Sequence, residues 1–176
     1  MDNMSKRWYY EVNDYCTKLS EQYNVPLMKV AGMMSVLSPN VSFVQNIKSL
    51  EAFLETGGNC TVSTYSKQKV KADNIYALSD DATEEEVKAI IGKGLKTLAF
   101  FENIYRPHTS TSVTVDLWMV RWAKNMRIIP KSAGVQPTVK QYRKIEASIV
   151  RRAKKAGMMP HEFQAVAWVE IRGAAF

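Results

Sequence analysis

The stretch Ile91-Gly92-Lys93-Gly94-Leu95-Lys96-Thr97 combines residue types and spacing that point to chemistry. Two glycines two positions apart allow a tight turn, because a residue without a Cβ reaches backbone conformations closed to others. A helix that starts after such a turn points its first backbone N–H groups outward, which is a ready site for an anion. Lys93 and Lys96 add positive charge there, and Thr97 adds a hydroxyl. Helix, Gly-Lys-Gly, helix fits a helix-hairpin-helix, in which the anion is a DNA backbone phosphate. Such contacts fix position without reading sequence. A lone Gly-x-Gly also serves simply to end one helix before another begins.

The charge distribution points the same way. The chain has 176 residues and a formal net charge of +7. From Val120 to Pro160 there are eleven Lys or Arg against one acid, Glu146, while the acids gather earlier, in Ser79–Val87. A one-sided basic field suits a polyanion, with double-stranded DNA as the expected partner. Arg151 and Arg152 are the expected sequence-independent contacts; the plain alternative is a solvated helix face. The composition, 46% hydrophobic and 23% charged, is that of an ordinary globular protein. No apolar run reaches the ~20 residues of a membrane span, so no membrane partner is expected.

Cys16 and Cys60 are isolated, and the N-terminal segment has no uncharged apolar stretch. Both features suit an intracellular, cytoplasmic protein. Two cysteines make neither a disulfide framework nor a four-cysteine cluster, and His108 and His161 do not complete a metal set with them. No metal and no cofactor is expected, and the protein is expected to be a monomer.

The elements that must position these residues are helical. Apolar periodicity predicts an all-α domain over residues 1–176, of about eight short helices, with two closely packed lobes as a variant. Trp8, Val12, Tyr15 and Leu19 mark the first amphipathic helix. Residues 25–39 are apolar nearly all round and predict a buried central helix stopped at Ser38-Pro39-Asn40. Phe43, Ile47, Leu50 and Leu54 mark a third helix ended by Gly57-Gly58, and a fourth covers about Lys67 to Leu78. Thr83 with Glu86 forms a capping box for a helix through Ile91. After the glycine link come a helix from Leu95, one starting at or just after Asp116, one over 139–156 and one from Pro160. Asp116 lies 20 residues beyond Lys96, at a position suited to an N-cap.

Three segments, in order, resemble the helix-hairpin-helix DNA glycosylases, the superfamily of endonuclease III-like enzymes. Ser35–Asn40 looks like the end of the early buried helix, after which a polar stretch reaches into the DNA. Lys71–Ile75 is similar to a segment ahead of the hairpin. Gly92–Trp122 looks like the hairpin followed by the valine-aspartate that opens the next helix. The resemblance implies DNA base excision by a hydrolase, with possible lyase activity. Asp116 would be the catalytic aspartate, and Lys96 stands where bifunctional members keep a nucleophilic lysine. Gly92, Lys93, Gly94 and Thr97 would grip phosphate. Base flipping needs a wedge and a pocket. Asn40 and Gln45 are the candidates for DNA contact; Phe43 and Trp118 are the candidates for the pocket. Phe43 also fits the third helix's core stripe, and Lys96 also fits a phosphate contact.

The sequence departs from the family in two ways. Ser38 to Gly92 spans only 54 residues, shorter than in larger members, and Leu117-Trp118 follows Asp116 where the family has polar residues. These departures keep two alternatives open. One is a glycosylase-fold enzyme that remodels a modified pyrimidine in viral DNA by group transfer; the other is a non-catalytic DNA-binding protein.

Overall fold

The computed structural model describes residues 3–173. Its regular structure is all helical: α1 (Asn3–Lys6), α2 (Trp8–Tyr23), α3 (Leu27–Val36), α4 (Phe43–Thr56), α5 (Ser66–Ala77), α6 (Glu84–Ile91), α7 (Leu95–Tyr105), α8 (Leu117–Asn125), α9 (Val139–Ala156) and α10 (Pro160–Arg172). The expected all-α class is the one adopted. Ten helices are described where about eight were expected, and the one-turn α1 is too short to leave a periodic pattern.

Local signals set the helix ends. Ser42 with Gln45, Thr83 with Glu86 and Thr138 with Gln141 close reciprocal capping boxes on α4, α6 and α9. Helix α3 is the hub of the first half. Every residue from Lys29 to Val36 is buried, as a segment apolar nearly all round predicts, and burial extends to Lys29 and Ser35. Gly32 lets α6 approach closely, since a Cβ at that position would sit 2.8 Å from a Val87 methyl. The buried Lys29 ammonium donates to the Leu78 carbonyl at 2.8 Å and to Asp80 at 3.1 Å, and so ties down the end of α5.

Two hydrophobic clusters result. One joins α2 to α7 around Met33, Leu50, Phe53, Ile75 and Phe101. The other joins α8, α9 and α10 around Met119, Ile145 and Ile149. The chain's start closes them together, because α1 and α2 both pack on α10. The buried face of α2 is Tyr9, Val12, Cys16 and Leu19. It is turned slightly from the Trp8–Tyr15 stripe expected, because Tyr9 faces α10.

His161, fully buried near the start of α10, reports on this closure. Its Nε2–H donates to the Pro107 carbonyl at 2.5 Å, and its Nδ1 has no hydrogen-bond partner among the described residues. Burial lowers its pKa, outweighing the opposing effects of the Pro107 bond and Glu162; His108 nearby lowers it further. A depressed folded-state pKa means that the unfolded chain takes up the proton first. Stability should therefore hold above the ordinary histidine value of 6.5 and fall as pH drops below it towards the lowered folded value. Melting temperatures from pH 8 to 5 should show this loss, and His161→Gln, which keeps a donor but does not titrate, should flatten it. An equally steep loss in the variant would assign the effect to other groups.

Candidate functional site

A cavity of about 350 Å³ opens between the two halves of the molecule. Four residues singled out from the sequence line it: Lys96, Asp116, Phe43 and Trp118. They come from α7, the start of α8, and α4. The fold thus gathers into one concavity residues up to 75 positions apart (Phe43 to Trp118).

Asp116 is the N-cap of α8, and its Oδ1 accepts from the Met119 backbone N–H at 2.9 Å. Its Oδ2 accepts from the Trp168 indole N–H at 2.8 Å. The carboxylate is therefore held from two directions. The extended run before it is held too. The Tyr142 hydroxyl donates to the Val113 carbonyl at 2.7 Å and accepts from the Val115 N–H at 3.3 Å. The Thr114 N–H donates to the Gln164 side chain at 3.0 Å. Below lies a buried polar layer, in which the Tyr9 hydroxyl donates to Thr114 Oγ1 at 3.1 Å. Burial pushes the Tyr9 pKa up to about 12, so this hydroxyl remains a donor.

The link between α6 and α7 is Gly92-Lys93-Gly94. Gly92 has φ of +92°, a conformation that other residues rarely adopt. Gly94 does not need that freedom, since its φ is −68° and an added Cβ would meet only the Thr97 side chain, no closer than an ordinary 3.6 Å. This corrects the expectation that both glycines make the turn. What Gly94 provides is a bare N-cap, with no side chain over the first N–H groups of α7. Lys71 donates to the Ile91 carbonyl at 2.6 Å and braces the link from α5. Lys88 bridges Glu84 and Glu102 at 3.0 and 2.7 Å and locks α6 to α7. Lys93 and Lys96 are exposed, and Thr97 is half-buried.

Aromatic side chains form two walls. Phe43 lies 5.1 Å from Trp8, which also packs on Tyr9 and Phe100. Both readings of Phe43 meet here, since it packs on the core and lines the cavity. On the other side, the Arg172 guanidinium lies 4.6 Å from the Trp168 ring and 6.0 Å from that of Trp118, and Arg121 lies 4.4 Å from Trp118. These contacts are cation–π in character and hold the indoles as flat faces.

The DNA-contact candidates fall outside this cavity. Asn40 is exposed at the α3–α4 turn with φ of +60°. Gln45 is exposed too, but its side-chain oxygen accepts from the Ser42 N–H and so closes the α4 cap. Arg151 is exposed on α9. Arg152 is half-buried, with its Nε donating to Ser148 and its guanidinium 5.8 Å from the Trp122 ring. Among the eleven basic residues of 120–160, Arg143 alone has an acidic partner among the described residues, Glu146 at 2.7 Å. No group of three or more His, Cys, Asp or Glu among the described residues could hold a metal ion. No helix among them is long and apolar enough to cross a membrane.

Sequence reasoning missed Trp8, Asn46, Trp168 and Arg172, which also line the cavity. Three of the chain's four tryptophans face one site, and that concentration of a rare residue type was the available signal. No curated protein and no solved structure matches the chain. The match that is found, over residues 2–175, is to a family of unknown function (DUF7178), and the chain belongs to that family.

Proposed function

We propose that this protein binds double-stranded DNA, extrudes a base into the cavity and acts at its N-glycosidic bond, as a glycosylase-like enzyme of helix-hairpin-helix type. One observation carries the reading: Asp116, fixed by two hydrogen bonds, shares an aromatic-walled cavity with Lys96. Breaking an N-glycosidic bond builds positive charge on the sugar, and a fixed carboxylate stabilises that charge at little reorganisation cost. Water adds to C1′ as the C1′–N bond breaks. The bonding pair leaves with the base, and Asp116 takes the water proton. The Gly92–Gly94 link and α7's first N–H groups supply a phosphate grip, and the basic face of α9 supplies the field.

The cleavage reading predicts that DNA incubated with the protein accumulates alkali-labile abasic sites, visible as strand breaks after mild base treatment. DNA that is altered without such sites would point to group transfer at the base. Unaltered DNA would leave a binding protein.

Lys96 separates two kinds of glycosylase. A lysine that attacks C1′ forms a Schiff base, which borohydride traps as a covalent protein–DNA adduct. Lys96 is exposed in the first turn of α7, where contact with phosphate needs nothing more. The expected outcome is base release with no adduct, and weaker binding in Lys96→Ala. An adduct that disappears in Lys96→Ala would make Lys96 the nucleophile instead.

A further inference from the structure

Asn46 sits in the first turns of α4, is 2% exposed and lines the cavity beside Phe43 and Trp8. Its Oδ1 is buried with no hydrogen-bond partner among the described residues. Buried side-chain acceptors are nearly always paired, and an unpaired one on a residue of a cavity wall is a place for a ligand donor. The surrounding faces are aromatic: Phe43 and Trp8 on one side, Trp118 and Trp168 on the other. Such a wall with one unpaired carboxamide oxygen suits a planar heterocycle that presents an N–H at its edge.

We infer that Asn46 determines base specificity, its carboxamide oxygen accepting a hydrogen bond from an N–H on the Watson–Crick edge of the extruded base. The inference rests on the base-extrusion reading above and deepens it. A site built around a substrate N–H rejects the analogue without that group, because its own polar atom is then left unpaired. The selected class is bases with a free edge N–H; bases methylated there are excluded. Asn46 touches the base and does not take part in bond breaking, so its effect falls on affinity and discrimination.

The test uses the full chain and duplexes that differ only in one central base. Each base stands opposite an abasic analogue, so that its partner strand never holds it. The probes are thymine with N3-methylthymine, cytosine with N4,N4-dimethylcytosine, and adenine with N6,N6-dimethyladenine. A neighbouring 2-aminopurine reports extrusion by its fluorescence, and titration gives Kd. The wild type should bind the parent of at least one pair roughly tenfold more tightly than its methylated form, the scale of one hydrogen bond. Asn46→Leu, which keeps the branched outline without the polar atoms, should bind both members alike, with an unchanged salt slope and a melting temperature no lower than wild type. Asn46→Ser serves the same comparison if the leucine variant folds poorly, and the wild-type comparison needs no variant.

If every pair is bound and extruded alike by the wild type, or if discrimination survives in the folded variant, the inference is overturned while base extrusion stands. If no duplex is bound or extruded, the inference and the DNA-directed reading fall together.

Discussion

Asp116→Asn should lower the single-turnover rate by at least ~10²-fold, the scale of losing one preorganised electrostatic group. The substitution keeps size and keeps an oxygen for the α8 cap. It also places an amide NH₂ where Oδ2 now accepts from the Trp168 indole. Two donors then face one another, and the variant should lose about 1–2 kcal/mol of stability, the range for one spoiled part-buried hydrogen bond. DNA affinity should hold or rise slightly, because a negative charge near phosphate is removed. Trp168→Phe separates the two effects: it keeps a ring in the wall and the charge on Asp116, but removes one restraint. It should lower the rate less than Asp116→Asn. A wild-type rate in Asp116→Asn would reduce Asp116 to a helix cap.

The second large effect is on binding. Raising monovalent salt from 50 to 200 mM should weaken DNA affinity by about 250- to 1,000-fold, if four to six phosphates are neutralised and log Kd changes with a slope of roughly 4 to 5. The basic run of 120–160, with Arg143 its one ion-paired member among the described residues, motivates this. Arg151→Glu should weaken binding to every sequence alike. Arg151 is the cleaner probe, since Arg152 is engaged with Ser148 and Trp122 and its loss would disturb packing as well as charge. Titrations by fluorescence anisotropy at several salt concentrations measure both. Affinity that ignores salt over this range would count against a phosphate-gripping surface.

Features that act locally were legible in the sequence. The Thr83–Glu86 box, the Asp116 cap and the helix over 139–156 all depend on neighbours within a few turns, and all three are present. Features set by long-range closure were not legible. Trp168 reaches Asp116 across 52 residues, and Gln164 reaches Tyr9 across 155. No periodic pattern encodes such pairs. For the same reason α10 was legible only as a helix starting from Pro160. In the structure it lies between α1–α2 and α8–α9 and buries Gln164, Ala165, Val166 and Ala167 in succession. Gln45 is a local feature that the sequence assigned only to DNA contact, and its side-chain oxygen also closes a helix cap.

Chemistry on a DNA base in the Asp116 cavity is the core of the proposed function. The direct measurement is mass spectrometry of DNA incubated with the wild type or with Asp116→Asn, quantifying both the bases set free and the nucleosides that remain. DNA from a normal and from a base-modified viral source should be compared. A free base should accumulate with the wild type, from at least one of these DNAs, and at least ~10²-fold more slowly with the variant. Changed nucleosides without free base would contradict bond cleavage and leave group transfer. Identical profiles with and without protein, on DNA that the protein binds, would rule out chemistry on the base by the Asp116 cavity.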